Sequence, residues 1–236
     1  MKTAPLLELS LFFATENDSA LILRRSQKKL YNLIGWDRRS DTFTEGQWIR
    51  KSIDTQVCAL SPDGQHFLYA VRDAPPDTPA SAQYTVLSRA PWFSALALFP
   101  HGSGWYGGGE FLDNTLYQLN GSEPRDDIIG RAEGLSQVVA GEVTKDCRTG
   151  LRLRNGKAAP LSKLLRERLL ASDPAPRPDA HDRYETQAGR LYRRRGMELE
   201  LIRDFADMQP RFEPAPYSMP KSEDAGWSPL DHEESQ

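Results

Sequence analysis

The stretch CALSPDGQHFLYAV, residues 58–71, carries the clearest structural signal in the sequence. Asp63-Gly64 fits a tight turn, because glycine accepts a positive φ at little cost, and Pro62 presets its own φ. Apolar residues lie on both sides of this turn. The stretch therefore predicts a β-hairpin, and the rest of the chain can be compared with it.

Runs of the same character recur along most of the chain. Apolar, aromatic and β-branched residues cluster at 19–25, 28–49 and 84–100, and Pro91 interrupts the last of these runs. Further strand-like runs follow at 136–143, 150–155 and 189–205, the last turning at Arg195-Gly196. Because such runs, bounded by turn residues, are typical of strands, the sequence predicts a mainly β chain.

One segment, Pro160–Ser172, has helical character instead. Proline suits the first turn of a helix, and leucines recur at helical spacing, namely Leu161, Leu164, Leu165 and Leu169. We therefore expect one helical insertion near 160–172 within a β domain that spans residues 1–208. Residues 209–236 are rich in proline and acidic side chains, and we expect them to form a tail whose end is poorly ordered or draped over the surface.

The dipeptide Leu-Tyr occurs four times, at Leu30-Tyr31, Leu68-Tyr69, Leu116-Tyr117 and Leu191-Tyr192, with spacings of 38, 48 and 75 residues. Periods near 40 residues are typical of the four-stranded blades of β-propellers, and the chain is long enough for about five of them. The repeat predicts a propeller-like fold of about five blades, complete or incomplete. A β-sandwich is the alternative.

The segment SPDGQHFLYAV, residues 61–71, resembles the strand–turn–strand of Tol-type and WD-type propeller repeats. Four longer segments, at 31–48, 61–70, 87–100 and 105–120, resemble a family of uncharacterised bacterial proteins. The first resemblance implies a propeller blade. The second implies no activity, so no catalytic role is transferred to any residue.

Three consecutive glycines, Gly107–Gly109, follow Trp105 and Tyr106. A phosphate-binding loop needs a glycine run that leads into a helix, where backbone N–H groups and the helix dipole meet the phosphate. Here a strand-like run follows, and the Lys-Ser/Thr of such a loop is absent. We therefore predict structural glycines, which let strands approach closely or bend beneath a bulky ring.

The charge is unevenly distributed, although the net charge is only −3. Residues 1–143 carry −4, residues 144–203 carry +7 and residues 204–236 carry −6. The overall charge predicts no general attraction to nucleic acid or to a membrane. The basic region 144–203 leaves nucleic-acid binding open as an alternative, with Arg193, Arg194 and Arg195 on phosphates and Tyr184 or Tyr192 stacking on bases.

Metal and cofactor signatures are absent from the sequence. It has two cysteines, Cys58 and Cys147, without a C-x-x-C motif, and its four histidines lie far apart. We expect no metal and no cofactor. Glu8 interrupts the apolar N-terminal stretch, whereas a signal peptide requires an unbroken one, so we expect a cytoplasmic protein without a membrane partner.

Catalytic signatures are equally scarce. Glu110, Asp113 and His101 are the only candidates that we single out, since two carboxylates can act as acid and base. Residues three apart on a strand point to opposite faces, however, so a bulge would be needed to bring the two acids together. We expect a non-enzymatic protein-interaction or scaffold module with an unknown protein partner. The alternative is a hydrolase-type enzyme with an acidic site near Glu110.

The expected contact residues of such a module are large aromatic and basic side chains near loops. They are Trp36, Trp48, Trp92, Trp105, Arg193, Arg194 and Arg195. The alternative for each tryptophan is a place in the apolar core.

Overall fold

The computed structural model describes residues 7–72, 77–80, 82–102, 107–121, 125–138, 143–146, 150–153 and 180–218 of the 236-residue chain. Within these ranges the chain forms sixteen β-strands and one 3₁₀ helix, and it contains no α-helix. The prediction of a mainly β protein is confirmed. The predicted helix at 160–172 lies outside the described residues.

The strands form five sheets in chain order. Sheet 1 contains β1 (Glu8–Phe13), β2 (Ser19–Gln27), β3 (Leu30–Asp37) and β4 (Thr42–Arg50). Sheet 2 contains β5 (Ile53–Leu60), β6 (His66–Val71), β7 (Tyr84–Arg89) and β8 (Ala95–Pro100). In both sheets every strand pairs antiparallel with the next one along the chain. Most of the connections are short turns, whereas residues 72–83 join β6 to β7.

The remaining sheets are smaller. In sheet 3, β10 (Leu116–Leu119) lies between β9 (Gly109–Phe111), which is antiparallel to it, and β11 (Ser136–Val138), which is parallel. Sheet 4 is the antiparallel pair β12 (Val143–Asp146) and β13 (Gly150–Leu153). The 3₁₀ helix Ala180–Arg183 precedes sheet 5, an antiparallel meander of β14 (Tyr184–Gln187), β15 (Arg190–Arg195) and β16 (Glu198–Asp204).

Sheets 1 and 2 are covered on both faces. In β6, Phe67 and Tyr69 join the core shared with sheet 1, whereas Leu68 between them joins the core shared with sheet 3. In β2, Leu21 points toward sheet 2 and Ile22 toward sheet 5. Successive side chains of a strand point to opposite faces, so a strand covered on both sides reads as an unbroken apolar run.

Three apolar cores result, one between each pair of packed sheets. The core between sheets 1 and 2 includes Leu21, Leu33, Phe67, Tyr69 and Val86. The core between sheets 5 and 1 includes Ile22, Ile34, Trp36, Leu191 and Phe205. The core between sheets 2 and 3 includes Leu68, Leu87, Phe99, Tyr117 and Leu119. Burial of each large apolar side chain contributes about 1.5–3 kcal/mol, so these cores are the main source of stability.

The first strands of four sheets lie next to one another. β1 contacts both β5 and β14, and β5 also contacts β9. Sheets 5, 1, 2 and 3 are therefore arranged in series with their first strands on the same side. Among the described residues these sheets form no closed ring.

The glycine triplet enters strand β9, as the sequence predicts, and not a helix. Gly108 has a φ of +86°, and a Cβ there would collide with the carbonyl oxygen of Val57 in β5. A Cβ at Gly109 would collide with the carbonyl oxygen of Gln118 in β10. Gly108 therefore lets sheet 3 approach sheet 2 more closely than any other residue would permit, and Gly109 makes room for β10 within sheet 3.

The four Leu-Tyr pairs occupy equivalent strand positions only in part. Three of the pairs, Leu68-Tyr69, Leu116-Tyr117 and Leu191-Tyr192, lie in the second strand of their sheets, whereas Leu30-Tyr31 begins the third strand of sheet 1. Tyr192 is only half-buried, while the other three tyrosines lie in apolar cores. The four pairs thus do not occupy one equivalent position.

Candidate protein-interaction surface

Three turns meet where sheets 1, 2 and 3 come together. The carbonyl oxygen of Pro62 accepts hydrogen bonds from the backbone N–H groups of Thr15 (3.0 Å) and Glu16 (2.9 Å). The N–H of Asp63 donates to Oδ1 of Asn114 (2.9 Å), whose Nδ2 donates to Oε2 of Glu16 (2.8 Å). The Ser-Pro-Asp-Gly turn thus holds three sheets together. The polar groups of this turn therefore stabilise the contact between the sheets.

The three catalytic candidates are bound to different partners. Glu110 is exposed on β9 and accepts a hydrogen bond from Nε2 of Gln118. Asp113 is buried, and its Oδ1 accepts from the N–H of Thr115 (2.6 Å) and of Leu116 (2.7 Å) at the β9–β10 turn. A carboxylate used in this way closes a turn, so the two acids do not form an acid–base pair.

His101, the third candidate, is 6% exposed and lies at the end of β8. Its Nε2 is 2.6 Å from Oγ1 of Thr85, which also accepts a hydrogen bond from the N–H of Gly108 (2.7 Å). Burial, followed by the positive charge of Arg125, lowers the pKa of His101 to about 4. The His101 side chain is therefore neutral near pH 7, and Thr85 of β7 connects it to the glycine triplet.

The described residues bring none of these three candidates together, and they contain no group of three or more His, Cys, Asp or Glu that could hold a metal ion. Asp113 instead closes a turn, and His101 contacts a neighbouring strand.

Two of the tryptophans expected to contact a partner belong to the interior instead. Trp36 and Trp48 are both 2% exposed, because their rings fill space beside sheet 1. Their indole N–H groups donate to Asp41 (3.3 Å) and Glu45 (2.9 Å), respectively. The expectation that they lie on the surface is wrong. Trp92 is half-buried in the β7–β8 turn, and Trp105 lies outside the described residues.

The three arginines expected to bind a partner are already paired. Nη2 of Arg193 donates to both carboxylate oxygens of Asp41 (2.9 and 2.7 Å). Arg194 pairs with Glu185, and Nε of Arg195 donates to Glu200 (2.6 Å). The acidic partners of Arg193, Arg194 and Arg195 are thus Asp41, Glu185 and Glu200, respectively. Each phosphate contact would have to displace a carboxylate, which removes much of the usual gain from neutralising a phosphate.

The charge of this region is also balanced. Residues 180–208 contain six arginines and six acidic residues, so the excess of positive charge in 144–203 comes mainly from residues outside sheet 5.

Among the described residues, three of the five exposed large apolar side chains belong to the β15–β16 hairpin of sheet 5. Met197, at the tip of the β15–β16 hairpin, is fully exposed, and Leu199 and Leu201 on β16 are 38% and 52% exposed. Leu199 lies opposite Arg194 and Leu201 opposite Tyr192, so these leucines share the face that points away from sheet 1. Among the described residues, β16 pairs with β15 alone. We call Met197, Leu199, Leu201 and the unpaired side of β16 the β16 edge.

The sequence pattern predicts a strand at β16, but the leucines that are exposed there were not among the predicted contact residues. The available signal was the alternation Glu-Leu-Glu-Leu at 198–201, which indicates one polar and one apolar face. Alternation alone does not say whether another sheet covers the apolar face.

No helix within the described ranges combines the length and the apolar character needed to cross a lipid bilayer. Comparisons of the chain with protein-family models, with curated proteins and with solved structures found no match.

Proposed function

We propose that this protein is a non-enzymatic protein-interaction module in which blade-like sheets are arranged as in a propeller. Two features support the arrangement. Sheets 1 and 2 are four-stranded antiparallel meanders, which is the form of a propeller blade, and the first strands of sheets 5, 1, 2 and 3 are neighbours in series. A two-sheet sandwich would have one apolar core, whereas three cores separate these four sheets.

The β16 edge is the binding surface in this proposal. The observation that carries it is the exposure of Leu199 and Leu201 beside a strand that pairs with β15 only, among the described residues. An apolar edge strand exposes unpaired N–H and C=O groups and is a template for another strand. Natural proteins protect such edges when they are not used for binding, and charged side chains on the exposed face are a common means.

The partner is accordingly an extended segment of another protein that pairs with β16. Main-chain hydrogen bonds supply affinity in this mode, and pockets for alternate side chains supply specificity. The segment should carry apolar residues at every second position, which would cover Leu199 and Leu201. Full burial of an exposed leucine contributes roughly 1.5–3 kcal/mol, and these two leucines, 38% and 52% exposed, would contribute about half of that each.

A peptide-display selection on the immobilised full chain tests the proposal. Selected peptides should show apolar residues at alternate positions, and the double variant Leu199→Glu/Leu201→Glu should bind them at least about tenfold more weakly, which corresponds to about 1.4 kcal/mol. Ile128→Glu is the matched control, because Ile128 is also an exposed apolar residue but lies outside sheet 5.

Hydrogen exchange provides the second measurement in the same experiment. Bound peptide should slow exchange of backbone amides within 198–204. Selection of peptides that bind the double variant as tightly as the wild type, or that leave these amides unchanged, would show that the β16 edge is not the binding surface.

A further inference from the structure

The chain after β16 crosses back over sheets 1 and 2. Nε of the buried Arg24 donates to the carbonyl oxygen of Phe205 (2.9 Å), which holds the end of β16 against sheet 1. Residues 209–218 then continue without regular secondary structure and reach the β7–β8 turn of sheet 2. We call residues 211–218 the tail segment. The surface beneath it, formed by Gln47, Arg50, Arg89 and Ser94, is called the tail groove.

Gln47 is the central residue of the tail groove. It is 3% exposed, and its Oε1 accepts hydrogen bonds from the N–H groups of Phe93 (2.8 Å) and Ser94 (3.0 Å). These bonds orient the side-chain amide so that Nε2 donates to the carbonyl oxygen of Glu213 (3.0 Å). Nε2 of Gln47 is therefore held in place by β4 and the β7–β8 turn, and it donates a hydrogen bond to a main-chain group of the tail segment.

Tyr217 makes the second set of polar contacts. Its hydroxyl donates to the carbonyl oxygen of Ser94 (2.7 Å) and accepts a hydrogen bond from the N–H of Arg89 (3.2 Å). The hydroxyls of Ser94 and Ser218 are 2.8 Å apart. Both hydrogen-bonding roles of the phenol are thus satisfied by main-chain groups of one turn, which is a specific arrangement for tyrosine.

Two guanidinium groups cover the aromatic rings of the tail segment. Cζ of Arg50 lies 5.5 Å from the centre of the Phe212 ring, and Cζ of Arg89 lies 5.4 Å from that of Tyr217. Such contacts contribute about 0.5–1 kcal/mol each at exposed sites. Between the two rings, Ala215 is buried. The tail groove therefore holds an aromatic residue at each end and a small residue in the middle.

The tail segment itself has the composition of a peptide ligand. Its core, Phe-Glu-Pro-Ala-Pro-Tyr at 212–217, contains two prolines that fix φ and remove backbone donors. Proline-rich segments are extended before they bind, so little entropy is lost on binding. The tail groove contacts one main-chain carbonyl, one phenol hydroxyl and two aromatic rings of this segment, so a segment of another molecule with the same aromatic and proline positions would make the same contacts.

We propose that the tail groove is a binding site for an extended segment of the type aromatic–x–Pro–x–Pro–Tyr in another protein, and that residues 212–217 occupy it in the isolated chain. The tail segment then acts as an intramolecular competitor. A tethered segment has an effective concentration in the millimolar range, so a partner binds only if it is tighter or if the tail segment is released. This site is separate from the β16 edge, and either proposal can fail without the other.

The first test uses a fluorescent peptide that copies residues 209–218 and the full-length chain. In Tyr217→Ala the tail segment loses its anchor, so the peptide should bind at least tenfold more tightly than to the wild type. A scrambled peptide should not bind, and adding Gln47→Ala to Tyr217→Ala should abolish binding. Arg211→Ala is the matched control in the tail segment, because Arg211 is exposed and pairs only with Glu213 at 3.9 Å among the described residues, so binding should equal that of the wild type.

A reversible lock provides the second test and does not depend on the stability of Tyr217→Ala. Ser94→Cys/Ser218→Cys places two thiols where the hydroxyls are 2.8 Å apart. Oxidation should hold the tail segment in its groove and eliminate peptide binding, and reduction should restore it to the level of the wild type, which is treated in parallel. If the locked chain binds the peptide as well as the reduced chain, or if Tyr217→Ala binds no better than wild type, the tail segment is a permanent part of the fold and the proposal is wrong.

Discussion

Strands β6 and β16 both carry apolar residues, five of the six residues in β6 and three of the seven in β16, but they lie in opposite environments. In β6, every residue from Phe67 to Val71 is buried, because sheets 1 and 3 cover its two faces and β5 and β7 pair with its two edges. In β16, Leu199 and Leu201 are exposed, and the strand pairs only with β15 among the described residues. An apolar side chain therefore stabilises the fold only where the position of its strand lets another sheet cover it, and it otherwise remains available to a partner.

The largest expected effect is the removal of an aromatic ring from β6. Phe67→Ala should lower the free energy of unfolding by about 3–5 kcal/mol, because it leaves a cavity in the core between sheets 1 and 2. Leu201→Ala on β16 should change it by less than about 0.5 kcal/mol, since the side chain is already half in water. Urea denaturation of both variants measures the difference. Equal losses would contradict the contrast between the two strands.

The second effect concerns close approach between sheets. Gly108→Ala should cost about 2–4 kcal/mol, because alanine is strained at a φ of +86° and its Cβ would collide with the carbonyl oxygen of Val57. Gly196→Ala, at the tip of the β15–β16 hairpin, has a φ of +63° and nothing within 4 Å of the new Cβ, so only about 1 kcal/mol should be lost. Thermal unfolding separates the two costs. Similar values would mean that sheet 3 is not held tightly against sheet 2.

The smallest effect depends on pH and involves the bond between His101 and Thr85. The pKa of His101 is about 4 in the folded chain, compared with an ordinary value of 6.5. Between these pH values the unfolded chain binds a proton that the folded chain does not, so stability falls as the pH decreases from 6.5 towards 4. At pH 5 the loss should be about 1–2 kcal/mol.

Replacement of the histidine isolates this contribution. His101→Gln keeps a polar side chain that does not titrate, so its unfolding free energy should fall less steeply between pH 6.5 and pH 5 than that of the wild type. The slopes come from urea denaturation at several pH values. Identical slopes would show that His101 is not buried in its neutral form.

Local chemistry was sufficient to predict the strands and their turns. Asp63-Gly64 and Arg195-Gly196 turn the chain where the sequence predicts, and β7 and β8 lie on the two sides of Pro91. The glycine triplet also leads into a strand, because the residues that follow it have strand character. These features depend on a few neighbouring residues, and each has a steric or hydrogen-bonding cause within the segment itself.

The candidate site was much less predictable. The sequence left Trp36 and Trp48 as either contact or core residues, and the packing of sheet 1 buries both. The pairing of Arg193 with Asp41 joins residues 152 positions apart, which no local pattern indicates. The order of the sheets, and thereby the exposure of β16, follows from which apolar faces meet.

The sequence by itself determined that this protein is mainly β, where its hairpins turn and why three glycines precede β9. Only the tertiary structure decided which aromatic rings are internal, which arginines are neutralised, which leucines remain exposed and where residues 209–218 lie. The physical reason is the separation along the chain of the residues that interact. Backbone conformation and side-chain alternation are set by nearest neighbours, whereas burial and charge pairing need groups such as Arg24 and Phe205, 181 residues apart, to come into contact.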